Sequence, residues 1–413
     1  MKPEGLSAYI AVTAAYWAFM LTDGALRMLV LLHFHTLGFS AIELAYLFLF
    51  YEFAGMITNL SAGWVAARFG LSRTLYAGLS LQIVALILLA QLSPDWGIAA
   101  SVIFVMAVQG LSGVAKDLAK MSSKSAVKLL APKGQGGAED GLFRWVAVLT
   151  GSKNAVKGVG FLLGAALLGL FGFITSIVAM AVTLTAVLIA VVLFMPAGLP
   201  EGKKSAKVSE VFSKDPDINR LSLARMFLFG ARDVWFVVGI PIYFYGVLSD
   251  GSEDGNRAAF FLIGSFMALW IIAYGAVQGA APRIVGAKDK ALSAIKQDAV
   301  RWCFWLAMVP LTLAVAAMAL DVGLTAVLVI GLLVFGFVFA VNSSLHSYLI
   351  LAFSTSERVT MDVGFYYMSN AAGRLIGTLL SGLSFQFGGL VLCLVTSGAM
   401  ALCSWIAMRG LTR

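Results

Sequence analysis

Several ionisable side chains stand well inside otherwise apolar runs, where each costs about 2.5–3.5 kcal/mol to insert into a bilayer and therefore marks a candidate functional site. Asp23 and Arg27 are four residues apart and share one helix face, as do Lys153 and Lys157. Arg225 and Arg232 are seven apart on a third face, with Asp233 beside them; Glu52 and Arg374 stand in two further runs. Neutral hydrogen-bonding groups accompany them: Asn154, Asn370, and the Asn342, Ser343, Ser344, His346 group. The cations outnumber the acids, which points to an anionic substrate. On this reading Arg27, Lys153, Lys157, Arg232, Arg374, Asn154, Asn342 and Asn370 contact substrate, while Asp23, Glu52 and Asp233 balance charge or carry coupling. Other readings stay open at single positions. Asp23 with Arg27 also fits a structural ion pair, Arg225 and Lys153 fit edge cations that snorkel, and His346 fits a packed polar residue as well as a proton relay.

Lys116, Lys120, Lys124 and Lys128 repeat every four residues and form a basic stripe, either a solvated helix face or an electrostatic funnel. No catalytic constellation is present. The chain has no Gly-Lys-Ser/Thr phosphate loop, which excludes an ATP-driven pump, and no His or Cys cluster with metal spacing. No cofactor is expected, and transport would draw on a gradient.

The elements that must position these residues follow from composition. The 413 residues are 60% hydrophobic and 12% charged, with a mean hydropathy of +0.92. Such a chain belongs in lipid. At about 20 residues per crossing it has room for about twelve helices and for no separate soluble domain. Apolar runs bounded by Pro, Gly and charge predict spans near 8–33, 41–65, 74–93, 97–119, 142–171 and 174–195. A second six follow near 220–247, 259–281, 301–320, 323–352, 361–386 and 389–409. A polar, Pro- and Gly-rich stretch links them, giving a first half at 1–195, a linker at 196–218 and a second half at 219–413. The first apolar run is too long for a signal-peptide core and is expected to remain as a helix. Cys303, Cys393 and Cys403 are odd in number and lie in apolar runs, so they read as small buried hydrophobes.

The formal charge of +8 is not a nucleic-acid footprint. With the amino terminus inside, Lys and Arg collect on one side, at Arg68/Arg73, Lys203 to Lys214, Arg283 to Lys296 and Arg409/Arg413. The opposite connections carry acids, with Arg257 as the one cation. This is the positive-inside pattern, and it predicts an inner-membrane protein with both termini cytoplasmic.

The halves also repeat. Gly63-Trp-Val-Ala-Ala-Arg68-Phe-Gly70 returns as Gly279-Ala-Ala-Pro-Arg283-Ile-Val-Gly286, and Asn154-Ala-Val-Lys157-Gly-Val-Gly160 returns as Asn370-Ala-Ala-Gly-Arg374-Leu-Ile-Gly377. Parallel half-repeats of this kind are a transporter signature. The segment Gly63, Arg68, Gly70, Arg73 resembles the conformational loop motif of the major facilitator superfamily, with Ala67 where that motif has an acid. Over Tyr16 to His35, Lys116 to Lys128, and Phe143-Arg144-Trp145 to Gly158, the chain resembles the ArsJ family of organoarsenical efflux permeases.

That resemblance implies an all-α membrane protein with the major facilitator fold, about twelve transmembrane helices in two pseudo-symmetric six-helix halves. It also implies export of an anionic organoarsenical, 1-arseno-3-phosphoglycerate, made by a partner glyceraldehyde-3-phosphate dehydrogenase. The expected partners are thus a small anionic substrate, the lipid bilayer and that dehydrogenase, with no nucleic acid, and the expected state is a monomer. Cys303, Cys393 and Cys403 lie in runs that are peripheral in this fold, which argues against a thiol-bound arsenite site. An organophosphate or other organic-anion carrier fits the cations equally well. A proton-coupled drug exporter would rest on Asp23 and Glu52 instead, and a receptor that senses without moving solute is a further class.

Overall fold

A computed structural model of the chain describes residues 3–93, 95–130, 138–195, 213–286, 290–320, 322–354 and 359–412, with backbone alone at 3–9, 60, 62–68, 124–130, 138–151 and 359–361. All regular structure among the described residues is helical. In chain order the helices are α1 (Pro3–Thr36), α2 (Ala41–Phe69), α3 (Leu71–Leu89), α4 (Ile98–Leu130), α5 (Ala138–Phe171) and α6 (Phe173–Phe194). They continue as α7 (Pro216–Leu248), α8 (Glu253–Ile284), α9 (Leu292–Ala319) and α10 (Leu324–Phe353). The last helical stretch, Val359–Arg409, is 51 residues long and breaks at Gly388 and Gly389. It therefore supplies α11 (359–388) and α12 (389–409). Among the described residues eleven helices are long and apolar enough to cross a membrane, and the break in the last one brings the spans to the twelve expected.

Local chemistry sets the ends. At the start of α2, the Ser40 backbone N–H donates to Glu43 Oε2 at 2.8 Å while the Glu43 N–H donates to Ser40 Oγ at 3.4 Å, a reciprocal capping box. Asp215 caps α7 by accepting from the Asp217 N–H at 2.9 Å, with Pro216 following where no N–H is needed. Ser252 caps α8 through the Gly255 N–H at 2.9 Å. Gly70, between α2 and α3, has φ +85° and Gly389, between α11 and α12, has φ +59°. Side chains with a Cβ avoid that region, so both breaks need glycine.

The described chain forms two compact units that are not continuous in sequence. The first comprises residues 1–33, 61–209 and 260–271, and the second comprises 34–60, 210–259 and 272–413. The expected linker at 196–218 lies outside the described residues as far as residue 212.

Inside the first unit, α3 packs on α4 and α6. Ser112 Oγ of α4 donates to Gln82 Oε1 of α3 at 2.6 Å, which satisfies two polar groups in an apolar setting. The α1 and α5 backbones approach closely at Gly24 and Gly160: a Cβ on Gly24 would meet Gly160 Cα at 3.2 Å and the Lys157 carbonyl at 2.6 Å. Inside the second unit, α7 packs along α11 and α12, and α9 packs on α10 and on the last helical stretch. Gly377 of α11 repeats the α1/α5 arrangement against α7, since a Cβ there would meet the Gly230 carbonyl at 2.7 Å and Asp233 Cβ at 2.9 Å. Small residues at such crossings let polar side chains on adjacent helices reach one another.

Candidate functional site

The α1/α5 crossing of the first unit brings Asp23 and Lys157 together. Asp23, 3% exposed, accepts from Lys157 Nζ at 3.2 Å, and the same ammonium lies 5.8 Å from the Phe161 ring centroid. Arg27 is buried one turn further along α1, while Lys153 and Asn154 are half-buried on α5. Lys116, the first member of the basic stripe, is buried, and Lys120 pairs with Asp117 at 2.6 Å. These two are not a freely solvated face. The side chains of Lys124 and Lys128 lie outside the described residues.

The α7/α11 crossing of the second unit holds the equivalent pair, enlarged. Asp233 accepts from Arg374 Nε at 3.3 Å and from its chain neighbour Arg232 at 2.5 Å. Arg374 reaches in its other direction to Glu52 on α2, with Nη2 at 2.5 Å from Oε1. Glu52 and Asp233 are almost completely buried and the Arg374 side chain is 16% exposed. Four residues from three helices thus form one chain of alternating charge, Glu52, Arg374, Asp233, Arg232. Buried charges in that arrangement offset one another's desolvation, which explains how the apolar interior tolerates them.

Immediately beyond this cluster α7 widens into a π-turn at Trp235–Gly239. Two of its N–H groups, of Val238 and Gly239, donate to Ser381 Oγ of α11 at 3.2 Å. Pro241, which lacks an N–H, follows just after. A single π-turn is a frequent marker of functional sites in helices, and no signal short of Pro241 reveals this one in the sequence.

Arg225 extends the network. Its guanidinium carbon lies over the Phe229 ring, 4.2 Å from the centroid, and that of Arg232 lies 4.9 Å from the same centroid. Its Nε donates to Asn370 Oδ1 at 3.2 Å and its Nη1 to the Ser343 carbonyl and hydroxyl at 3.0 Å. Gln278 Nε2 of α8 donates to the same Ser343 hydroxyl at 3.1 Å. At 4% exposure Arg225 is a buried residue and not a snorkelling edge cation. The sequence holds the types but not this geometry: Ser343 and Gln278 carry no charge and no spacing that distinguishes them.

Asn342, one residue away, faces elsewhere. It is fully buried and its Nδ2 contacts Cys303 Sγ of α9 at 3.1 Å, with His346 Nε2 at 3.6 Å from the same sulfur. In the loop motif, Gly70 is buried and Arg73 is exposed, while Gly63 is described by its backbone alone and the side chain of Arg68 lies outside the described residues. The three cysteines are free thiols, Cys303 and Cys393 fully buried. Among the described residues no group of three His, Cys, Asp or Glu could hold a metal ion.

No protein-family model and no curated protein sequence matches the chain. Solved structures do. The chain is similar to a POT family transporter solved in complex with 5-aminolevulinic acid, with a TM-score of 0.71 at 14% identity over 98% of this chain and 95% of that one. It is similar also to a bacterial homologue of the iron transporter ferroportin in the inward-facing state, with a TM-score of 0.70 at 14% identity over 98% of each chain. A third similar structure is the nucleoside transporter NupG, with a TM-score of 0.70 at 14% identity over 99% of this chain and all of that one. The twelve apolar segments and these full-length likenesses show that this chain is a multi-pass membrane protein with the major facilitator fold.

Proposed function

We propose that the protein is a secondary transporter that exports a small organic anion, and that this anion is an organoarsenical of the 1-arseno-3-phosphoglycerate type. The observation that carries the anionic part is the composition of the buried network in the second unit. Arg225, Arg232 and Arg374 face only Asp233 and Glu52 in it, so positive charge is in surplus. Buried arginines suit phosphoryl and arsenyl oxygens, because the guanidinium presents a planar fork of donors.

In the empty transporter the acids hold the cations: Asp23 on Lys157, and Asp233 with Glu52 on Arg374 and Arg232. An incoming anion replaces those carboxylates as the partner of the cations, and its release lets the carboxylates return. Export of an anion from a cell that is negative inside gains about 2.3 kcal/mol per charge per 100 mV, which supplies a driving force without an obligatory proton. The organoarsenical itself rests on the resemblance to efflux permeases and not on the charge pattern. A cytoplasmic glyceraldehyde-3-phosphate dehydrogenase is the proposed source of the substrate, and a monomer in the inner membrane with both termini cytoplasmic is the proposed arrangement.

Arsenate resistance tests the whole reading. Cells without arsenic export are expected to gain resistance when they express this chain together with the dehydrogenase, and not with either alone. K157Q, R232Q and R374Q should each abolish that resistance while the protein remains in the membrane. Everted vesicles that accumulate an organophosphate but give no resistance would replace the organoarsenical with an organophosphate carrier.

A further inference from the structure

Four cations on α5, α7 and α11 fall into two classes. Lys157, Arg232 and Arg374 each touch a carboxylate. Among the described residues Arg225 touches none: its hydrogen bonds go to an amide oxygen, a backbone carbonyl and a hydroxyl, and its guanidinium carbon lies over two rings, Phe229 at 4.2 Å and Tyr366 at 4.9 Å. Its second terminal nitrogen, Nη2, has no hydrogen-bond partner among the described residues.

A guanidinium taken out of water normally acquires a counter-ion, because neutral hydrogen bonds and ring contacts return only part of its hydration. Here the plane of the side chain is fixed by two rings and three hydrogen bonds, so little ordering remains to be done when a ligand arrives. We propose that Arg225 is a binding residue for an oxyanion group of the transported solute, a phosphoryl, arsenyl or carboxylate group, engaged through Nη2. Asn370, Ser343 and Gln278 are positioning residues that hold the fork. This rests on the anion-transport reading above and adds a site to it, since the acid-held cations must exchange a partner to bind substrate and Arg225 need not.

The competing role for Arg225 is a brace that ties α7 to α10 and α11. Asn370→Asp separates the two roles. It is nearly isosteric, keeps the contact to Nε, and gives Arg225 a permanent carboxylate. As a brace the residue would be held at least as firmly and anion binding would not change. As an anion site it would be blocked.

The measurement is equilibrium binding of inorganic phosphate, and separately of glycerate, to the purified full-length protein, with melting followed in parallel. Wild type is expected to bind at least one probe. N370D is expected to fold and to lose at least tenfold in affinity for it, and R225K, which keeps the charge but not the fork, should lose a similar factor. Loss confined to phosphate assigns the site to the phosphoryl or arsenyl end, and loss confined to glycerate assigns it to the carboxylate end. Wild type that binds neither probe overturns the anion reading and the site with it. Wild-type affinity in folded N370D, or in folded R225K, overturns the Arg225 site and leaves the anion reading standing.

Discussion

Asp233 carries more of the buried network than Glu52 does, and the difference is measurable. Asp233 is the carboxylate shared by Arg232 and Arg374. Asp233→Asn leaves Arg374 with Glu52 but leaves Arg232 with no carboxylate, only a neutral amide oxygen and the rings of Phe229, Phe339 and Phe236 at 4.9, 5.5 and 5.7 Å. Removing one partner of a buried pair costs about 3–5 kcal/mol. Glu52→Gln still offers an oxygen to Arg374, which keeps Asp233 on its Nε at 3.3 Å. Its cost is the gap between a charged and a neutral hydrogen bond, about 1–2 kcal/mol. The rate of unfolding in detergent at fixed temperature follows from the reactivity of a thiol dye with Cys303 and Cys393, which are fully buried in the fold. With about 1.4 kcal/mol per tenfold in rate, a difference of about 1–4 kcal/mol means that D233N should lose its folded population at least about fivefold faster than E52Q. The double variant R232Q/D233N should be no worse than D233N, because it removes the stranded cation along with its acid. An E52Q protein that unfolds as fast as D233N, or additive effects of R232Q and D233N, would refute the shared-carboxylate account.

Two further outcomes follow from charge. In intact cells, a membrane-impermeant thiol reagent is expected to label a single cysteine placed at Ser252 but not one placed at Ser205, because the basic side of the chain is predicted to be cytoplasmic; the reverse pattern inverts the topology. Export from vesicles with an imposed potential and a collapsed pH gradient should persist if the acids only neutralise the empty site, whereas export that survives loss of the potential and stops with the pH gradient makes Asp23, Glu52 and Asp233 proton carriers.

Much of the framework is legible in the sequence because it depends on local properties. Hydrophobic run length fixes the number of spans, and Ser40 with Glu43, Asp215 with Pro216, and Ser252 mark helix starts through residues within a few positions of one another. The cost of an ionisable group in lipid also identifies Asp23, Glu52, Lys157, Arg232, Asp233 and Arg374 from the sequence alone. One long apolar stretch hides the Gly388/Gly389 break only from hydropathy, since paired glycines still announce it.

Pairing was decided by the tertiary structure alone. Helical spacing relates Asp23 to Arg27 on one face, but it is silent on Lys157, which lies on another helix and reaches Asp23 because glycines let α1 and α5 close together. Glu52 and Arg374 are separated by most of the chain, and no periodicity links them. Arg225 and Asn342 show the same limit from the other side. Both sit at positions where composition cannot tell a lipid-edge cation from a buried one, or an amide facing substrate from one packed on Cys303. Transfer energetics act residue by residue and are therefore written in the sequence, whereas electrostatic partnership falls steeply with distance and exists only once packing has fixed that distance.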